Sequence, residues 1–112
     1  MNTDSSQPPI KPVRPGRFPS GRIVATPGAL ELLERYQIAP SALLDRHFTG
    51  DWGNLCDEDK RANAEALEAG LRIFSSYLVK APDGEPNMSA AKVWVITEAD
   101  RSATTLLLPE EY

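Results

Sequence analysis

From Arg22 onward the apolar positions recur with two different periods, and the change of period divides the chain into a helical stretch and a strand-rich one. Ile23, Val24 and Ala25 read as a short strand, and Thr26 followed by Pro27 supplies an N-cap and a proline at the first helical position. Leu30, Leu33 and Tyr36, joined by Leu32, recur at helical spacing with Glu31, Glu34 and Arg35 opposite them, which predicts a core-packing helix. Pro40 opens a second helix, Ser41 to about Phe48, in which Leu43 and His47, and Leu44 and Phe48, form pairs along one side. Gly50, Asp51, Trp52 and Gly53 then break the helix with a tight turn, from which Trp52 is expected to plug the core. Asp57 reads as the N-cap of a third helix, with Glu58 and Asp59 in its positive first turn and Gly70 as its stop. Its apolar face, Ala62, Ala66, Leu67 and Ala69, is thin.

After Gly70 the period falls to two. Ile73, Ser75, Tyr77 and Val79 alternate with Arg72, Phe74, Ser76 and Leu78, the pattern of a strand with unlike faces. Residues 92–98 and 103–108 are two more strands rich in β-branched side chains, joined by a turn at 99–102. The order strand, three helices, three strands predicts an α+β fold: an N-terminal short strand and three helices packed on a small, mainly antiparallel sheet. On the sheet's other face Phe74, Trp94 and Ile96 are expected to form an apolar strip, an argument for dimerisation or a partner. Residues 80–91, carrying Pro82, Asp83, Gly84 and Pro86, make a hairpin loop much longer than usual, read as an insertion with a binding loop as the alternative.

The stretch before this pattern is different. Residues 1–21 hold Pro8, Pro9, Pro12, Pro15 and Pro19 and few large apolar side chains, so they are expected to be a disordered proline-rich tail ahead of a single domain spanning 22–112. Pro9 to Pro12 and Pro12 to Pro15 match P-x-x-P and favour polyproline II. The net charge of −4 conceals an asymmetry: Lys11, Arg14, Arg17 and Arg22 against Asp4 give the first 22 residues +3, leaving −7 for the rest. Such a tail can touch nucleic acid, while the acidic body repels phosphate; a solvated tail that aids solubility is the ordinary reading.

Composition removes several classes of function. No apolar run approaches the roughly 18 residues of a membrane span, and the first twenty residues lack the apolar stretch of a signal peptide, so a cytoplasmic protein is expected. One cysteine, Cys56, and one histidine leave no intramolecular disulfide and no Cys/His zinc site, and no metal or cofactor is expected. The phosphate-binding loop, the dinucleotide fingerprint, the hydrolase nucleophile elbow and the H-E-x-x-H pattern are all missing. Asp51, Asp57, Glu58 and Asp59 do not match a calcium loop and read as turn and helix-capping residues.

His47 is the one side chain that titrates near neutrality when unperturbed. Beside Leu43 and just before a turn, its expected role is structural. The alternative groups His47 with Arg101, Thr104 and Thr105 as a metal-independent ribonuclease, in which a base takes the 2′-hydroxyl proton and a cation stabilises the phosphorane. The element order loosely resembles the barnase/RelE-like toxin architecture, an analogy at the level of fold alone. Asp100 and Arg101 read as turn residues, Arg101 pairing with Glu98; in the alternative, Asp100 orients Arg101 towards an anion. Trp52, Asp100 and Arg101 are the candidate binding residues.

Three stretches carry a wider resemblance: GRIVATPGAL at 21–30, RHFTGDWG at 46–53 and WVITEADRSATTLLLPEEY at 94–112. Together they resemble a family of small uncharacterised bacterial proteins carried on plasmids and integrative elements, described as plasmid-related proteins. Some relatives are labelled as a type I restriction enzyme modification subunit, but this chain lacks the N/D-P-P-Y/F motif of an adenine methyltransferase and the glycine-rich cofactor loop. The resemblance implies a mobile-element setting and assigns no catalytic residues. The resulting expectation is a non-enzymatic accessory protein acting by contact with a protein partner, in evading or regulating restriction-type defence. The ribonuclease is the alternative, and nucleic-acid binding through Lys11, Arg14, Arg17 and Arg22 the third reading.

Overall fold

The computed structural model describes residues 16–80 and 90–112. The elements run β1 (Arg22–Ala25), α1 (Pro27–Arg35), α2 (Pro40–Phe48), α3 (Asp57–Ala69), β2 (Ile73–Val79), β3 (Ala91–Thr97) and β4 (Ala103–Leu107), closed by a 3-10 turn, η1 (Pro109–Glu111). Their order is the α+β arrangement that the two periods predict. The strands form one mixed sheet in the order β1-β4-β3-β2, antiparallel except that β1 lies parallel to β4. A parallel neighbour requires a crossover, and the three helices between β1 and β2 are part of it.

Alternation decides which side chains face the helices. Ile73, Ser75, Tyr77 and Val79 of β2, Val93, Val95 and Thr97 of β3, and Thr104 and Leu106 of β4 point inward and are buried. Ala29 and Leu33 of α1 and Leu43, Leu44 and Phe48 of α2 close over them as the main core, and Trp52, Ala66 and Ile73 form a smaller one under α3. Trp52 is thus a plug, as its turn suggests. Leu30 is 44% exposed, because Ala29 rather than Leu30 turns towards the sheet.

Helix boundaries follow local chemistry. The Thr26 hydroxyl accepts from Ala29 N at 3.1 Å and caps α1. For α3 the N-cap is Cys56, and Asp57 is the first helical residue, where its charge still favours the positive end. Gly70 ends α3 in the left-handed region at φ 72°, and its N–H donates to Ala66 O. The buried face of α3 departs from the apolar one read from sequence: Ala62 and Ala69 are exposed, whereas Asn63 is buried.

Asn63 is buried because it finishes the sheet. Its Nδ2 donates to Phe74 O at 2.6 Å and its Oδ1 accepts from Phe74 N at 3.1 Å, so one amide replaces a neighbouring strand along the outer edge of β2. The chain at 52–54 continues the seal: Ser76 N donates to Trp52 O, Asn54 N donates to Ser76 O, and Leu78 N donates to Asn54 Oδ1. Gly53, at φ 78°, lies so close to Ser76 O that a Cβ would collide with it.

The fold also begins earlier than residue 22. Arg17 N donates to Phe48 O at 2.7 Å, and the Phe18 ring packs edge-on against His47 and Phe48 and stacks near Trp52, so residues 17–21 belong to the domain and not to a tail. One aromatic side chain with three ring partners supplied the burial that composition did not reveal. Residues 1–15 and 81–89, and with them most of the proline-rich tail and of the long hairpin loop, lie outside the described residues. None of the helices among the described residues is long and apolar enough to cross a membrane.

Asn63→Ala leaves the Phe74 N–H and C=O without partners and is expected to cost about 1–3 kcal/mol of stability. Urea denaturation checks this, with an exposed α3 change such as Ala64→Ser as the near-neutral comparison.

Candidate functional site

His47 sits on the inward side of α2 because Leu43, Leu44 and Phe48 hold that side against the sheet, and the histidine is 0% exposed. Its ring lies over the small hydroxyl side chains of three strands. Nδ1 is 2.6 Å from Ser75 Oγ, and Nε2 is 2.9 Å from Thr97 Oγ1. Thr97 Oγ1 is 2.8 Å from Thr104 Oγ1, and the Thr104 hydroxyl donates to Ser20 O at 2.8 Å. The last bond orients the rest: Thr104 gives its proton to the carbonyl and accepts from Thr97, Thr97 accepts from His47 Nε2–H, and Nδ1 accepts from Ser75. The chain therefore holds a neutral histidine in one tautomer. Burial lowers the His47 pKa from 6.5 to about 3, in keeping with an imidazole that has no carboxylate partner in the chain.

This cluster brings together two of the residues singled out in the sequence, His47 and Thr104, and adds Ser75 and Thr97, which the sequence reading missed. A signal existed. Ser75, Thr97 and Thr104 are the hydroxyls in otherwise apolar inward columns, and a buried hydroxyl needs a partner. No substrate reaches these groups, since His47, Ser75, Thr97 and Thr104 are all fully buried. Thr105 points to the opposite face of the sheet from Thr104.

Arg101 does not join them. It occupies the turn in the left-handed region at φ 60°, and its guanidinium donates to the carbonyls of Leu71 at 2.7 Å, Ala66 and Glu98 at 3.1 Å, and Ala99 at 3.2 Å. It lies over the Phe18 ring at 5.6 Å and ties the β3–β4 turn to the C-terminal end of α3. Its expected ion pair with Glu98 is replaced: the Glu98 carboxylate accepts from Arg72 at 3.3 Å, and Arg101 uses only the Glu98 carbonyl. Asp100 accepts from Ser102 N at 2.9 Å, forming an Asx turn, and does not orient Arg101. His47, Arg101 and Thr104 therefore do not surround one cleft.

Around Trp52 the contacts are equally internal. Arg46 donates through Nε to Asp51 Oδ2 at 2.7 Å and stacks over the Tyr77 ring at 4.5 Å. Tyr77 Oη donates to Asp51 O at 2.6 Å, and Gly53 N donates to Asp51 Oδ1 at 3.1 Å. The Arg46 hydrogen bond holds the Asp51 carboxyl below the usual range. With Trp52 only 8% exposed, this turn is a brace for the β2 edge. Among the described residues no three His, Cys, Asp or Glu side chains converge on a point that would hold a metal ion.

What remains open to contact is the outer face of the sheet, which no helix covers. Phe74, Trp94 and Ile96, with Arg72 and Tyr112, line a groove of about 300 Å³. Register sets it: Phe74 pairs with Ile96, Ser76 with Trp94, and Trp94 with Leu107, so the outward side chains of three strands stand in rows. Trp94 meets Phe74 edge-on at 4.9 Å and Tyr112 at 5.7 Å. Arg72 donates to Tyr112 Oη at 2.7 Å while pairing with Glu98, which fixes the polar rim. The strip read from sequence is thus a groove with an aromatic lining. Arg72 and Tyr112, far apart in the chain, were not foreseen in it. No family model, curated protein or solved structure matches the chain.

A histidine whose pKa is depressed by folding binds a proton on unfolding, so stability rises with pH through the window from about 3 to 6.5 and is lost as pH falls through it. Urea melts of the wild type are expected to lose about 1.4 kcal/mol for each pH unit below about 6. His47→Gln should remove most of that slope. His47→Ala should cost about 2–5 kcal/mol at pH 7, by leaving Ser75 and Thr97 unpartnered beside a cavity.

Proposed function

We propose that this protein is a non-enzymatic accessory factor that works in the cytoplasm by contact with another protein, through the outer face of its sheet. The observation that carries this reading is the groove of Arg72, Phe74, Trp94, Ile96 and Tyr112, an aromatic-lined apolar surface on a face without covering helices. The internal use of the other candidates supports it: His47 and Thr104 are buried, and the Arg101 guanidinium donates to four backbone carbonyls. The mobile-element setting implied by the resemblance makes a component of restriction-type defence the class of partner proposed. The acidic body, at −7 beyond the first 22 residues, favours a basic partner surface over nucleic acid.

The test is affinity purification of the tagged full chain from a host carrying the parent element, with nuclease treatment, alongside Trp94→Ala. A stoichiometric, nuclease-resistant protein is expected to co-purify with the wild type and to fall at least about tenfold with Trp94→Ala, the loss of one aromatic anchor. The variant's circular dichroism should match the wild type. Cleavage of RNA by the purified protein, abolished by His47→Ala, would overturn the proposal.

A further inference from the structure

Residues 9–17 repeat a triplet three times: Pro9, Ile10, Lys11; Pro12, Val13, Arg14; Pro15, Gly16, Arg17. A polyproline II helix has three residues per turn, so a three-residue repeat gives each position its own face. One face is Pro9, Pro12 and Pro15; the next holds Ile10 and Val13; the third is Lys11, Arg14 and Arg17. The segment is therefore amphipathic in that conformation, with two adjoining apolar faces and one cationic face. Aromatic-lined grooves are the surfaces that take such a ligand, because flat rings pack against prolines already close to their bound shape.

From this pattern and the groove we infer that residues 9–15 dock, as a polyproline II segment, into the groove of Phe74, Trp94, Ile96 and Tyr112 of the same chain. The inference rests on the reading of that groove as a docking surface and names its resident occupant.

The first argument is where the segment ends. Arg17 N is bonded to Phe48 O, and a Cβ on Gly50 would lie 2.8 Å from the Arg17 guanidinium carbon, so the triplet repeat leaves the fold beside the turn that braces β2. Gly53 of that turn bridges to Ser76, and Ser76 is paired with Trp94. Adjacent strands are about 4.8 Å apart, which sets Gly53 and Trp94 about 10 Å apart across the sheet. Residues 9–15 extend about 20 Å at about 3.1 Å per residue, enough to pass the β2 edge and lie across the groove.

Charge and tethering add to this. Lys11 and Arg14 belong to the +3 end of a chain whose remainder is −7, and Glu98 and Glu110 stand near the groove, Glu98 half-exposed beside Arg72 and Glu110 exposed next to the η1 residue that precedes Tyr112. A short tether also presents the segment at an effective concentration in the millimolar range, so even a weak fit of apolar faces fills the groove. A partner of the outer face must then displace the segment, which makes the proline-rich end a competitor for the contact surface.

The experiment uses the full chain carrying Cys56→Ser and Ser6→Cys, with a nitroxide spin label on the new thiol and the backbone labelled with ¹⁵N. The indole N–H resonances of Trp94 and Trp52 are compared before and after reduction of the label, and Trp94→Phe assigns the two. The Trp94 signal is expected to lose most of its intensity in the oxidised sample, to be unaffected by dilution, and to recover when Pro9 and Pro12 are both replaced by Gly. Trp52, buried on the helix side, is the internal reference. An unattenuated Trp94 signal would overturn the inference, as would attenuation that survives the Pro→Gly changes. Broadening confined to a mixture of ¹⁵N chain without label and spin-labelled chain without ¹⁵N would assign the groove to a second copy and overturn it too. Because the signal arises within one chain, it is read whether or not a foreign partner is captured, so the two proposals fail separately.

Discussion

The structure depends on one neutral imidazole. His47 links α2 to Ser75 of β2 and Thr97 of β3, and through Thr97 to Thr104 of β4 and the Ser20 carbonyl just before β1. Each of these groups is buried, and each is affordable there only because the next one completes it. The chain has one direction, set by a backbone acceptor at one end, so it specifies the tautomer, the height of α2 over the sheet and the seat of residues 17–21 at once. A core of aliphatic side chains alone permits small slides of a nine-residue helix; a directional hydrogen-bond chain does not. The ring also meets Phe18, Phe48 and Trp52 edge-on or nearly so, so the same residue organises the aromatic packing around it.

The same economy governs the sheet's edges. β2 is an edge strand with exposed Leu78, the kind of edge that recruits another strand, yet its outward N–H groups at Phe74, Ser76 and Leu78 all have partners supplied by Asn63, Trp52 and Asn54. This explains the turn at 50–53, which looks from its composition like a binding loop. Its carboxylate, carbonyls and glycines are all committed to bracing. At the opposite end of the sheet the Glu111 carboxylate accepts from Thr26 Oγ1 at 2.5 Å and from Leu108 N at 2.8 Å, fastening η1 to the start of α1. That fastening brings Tyr112 against Trp94 and completes the outer groove.

The fold therefore directs its chemistry inward and its apolar aromatic surface outward. Titratable and hydroxyl groups that suggest acid–base catalysis are consumed in positioning, and the surface left uncovered is suited to recognition. Such a division fits a small domain, in which every polar group taken into a limited core must contribute to holding the layers together.

Much of the architecture was legible in the sequence. The switch from helical spacing to alternation after Gly70, the proline at the start of α1 and α2, and the glycine at the end of α3 located the elements, because backbone preference and one-sided burial act over a few neighbouring residues. The apolar strip of Phe74, Trp94 and Ile96 was legible for the same reason. What only the tertiary structure decided was pairing between distant residues: that Asn63 would serve as a strand, that Arg101 would satisfy carbonyls rather than Glu98, that Phe18 would draw residues 17–21 into the core, and that His47 would meet Ser75, Thr97 and Thr104. A polar side chain's role depends on which partner its geometry reaches, and a hydrogen bond made within the reach of about 3 Å leaves no periodicity in the sequence.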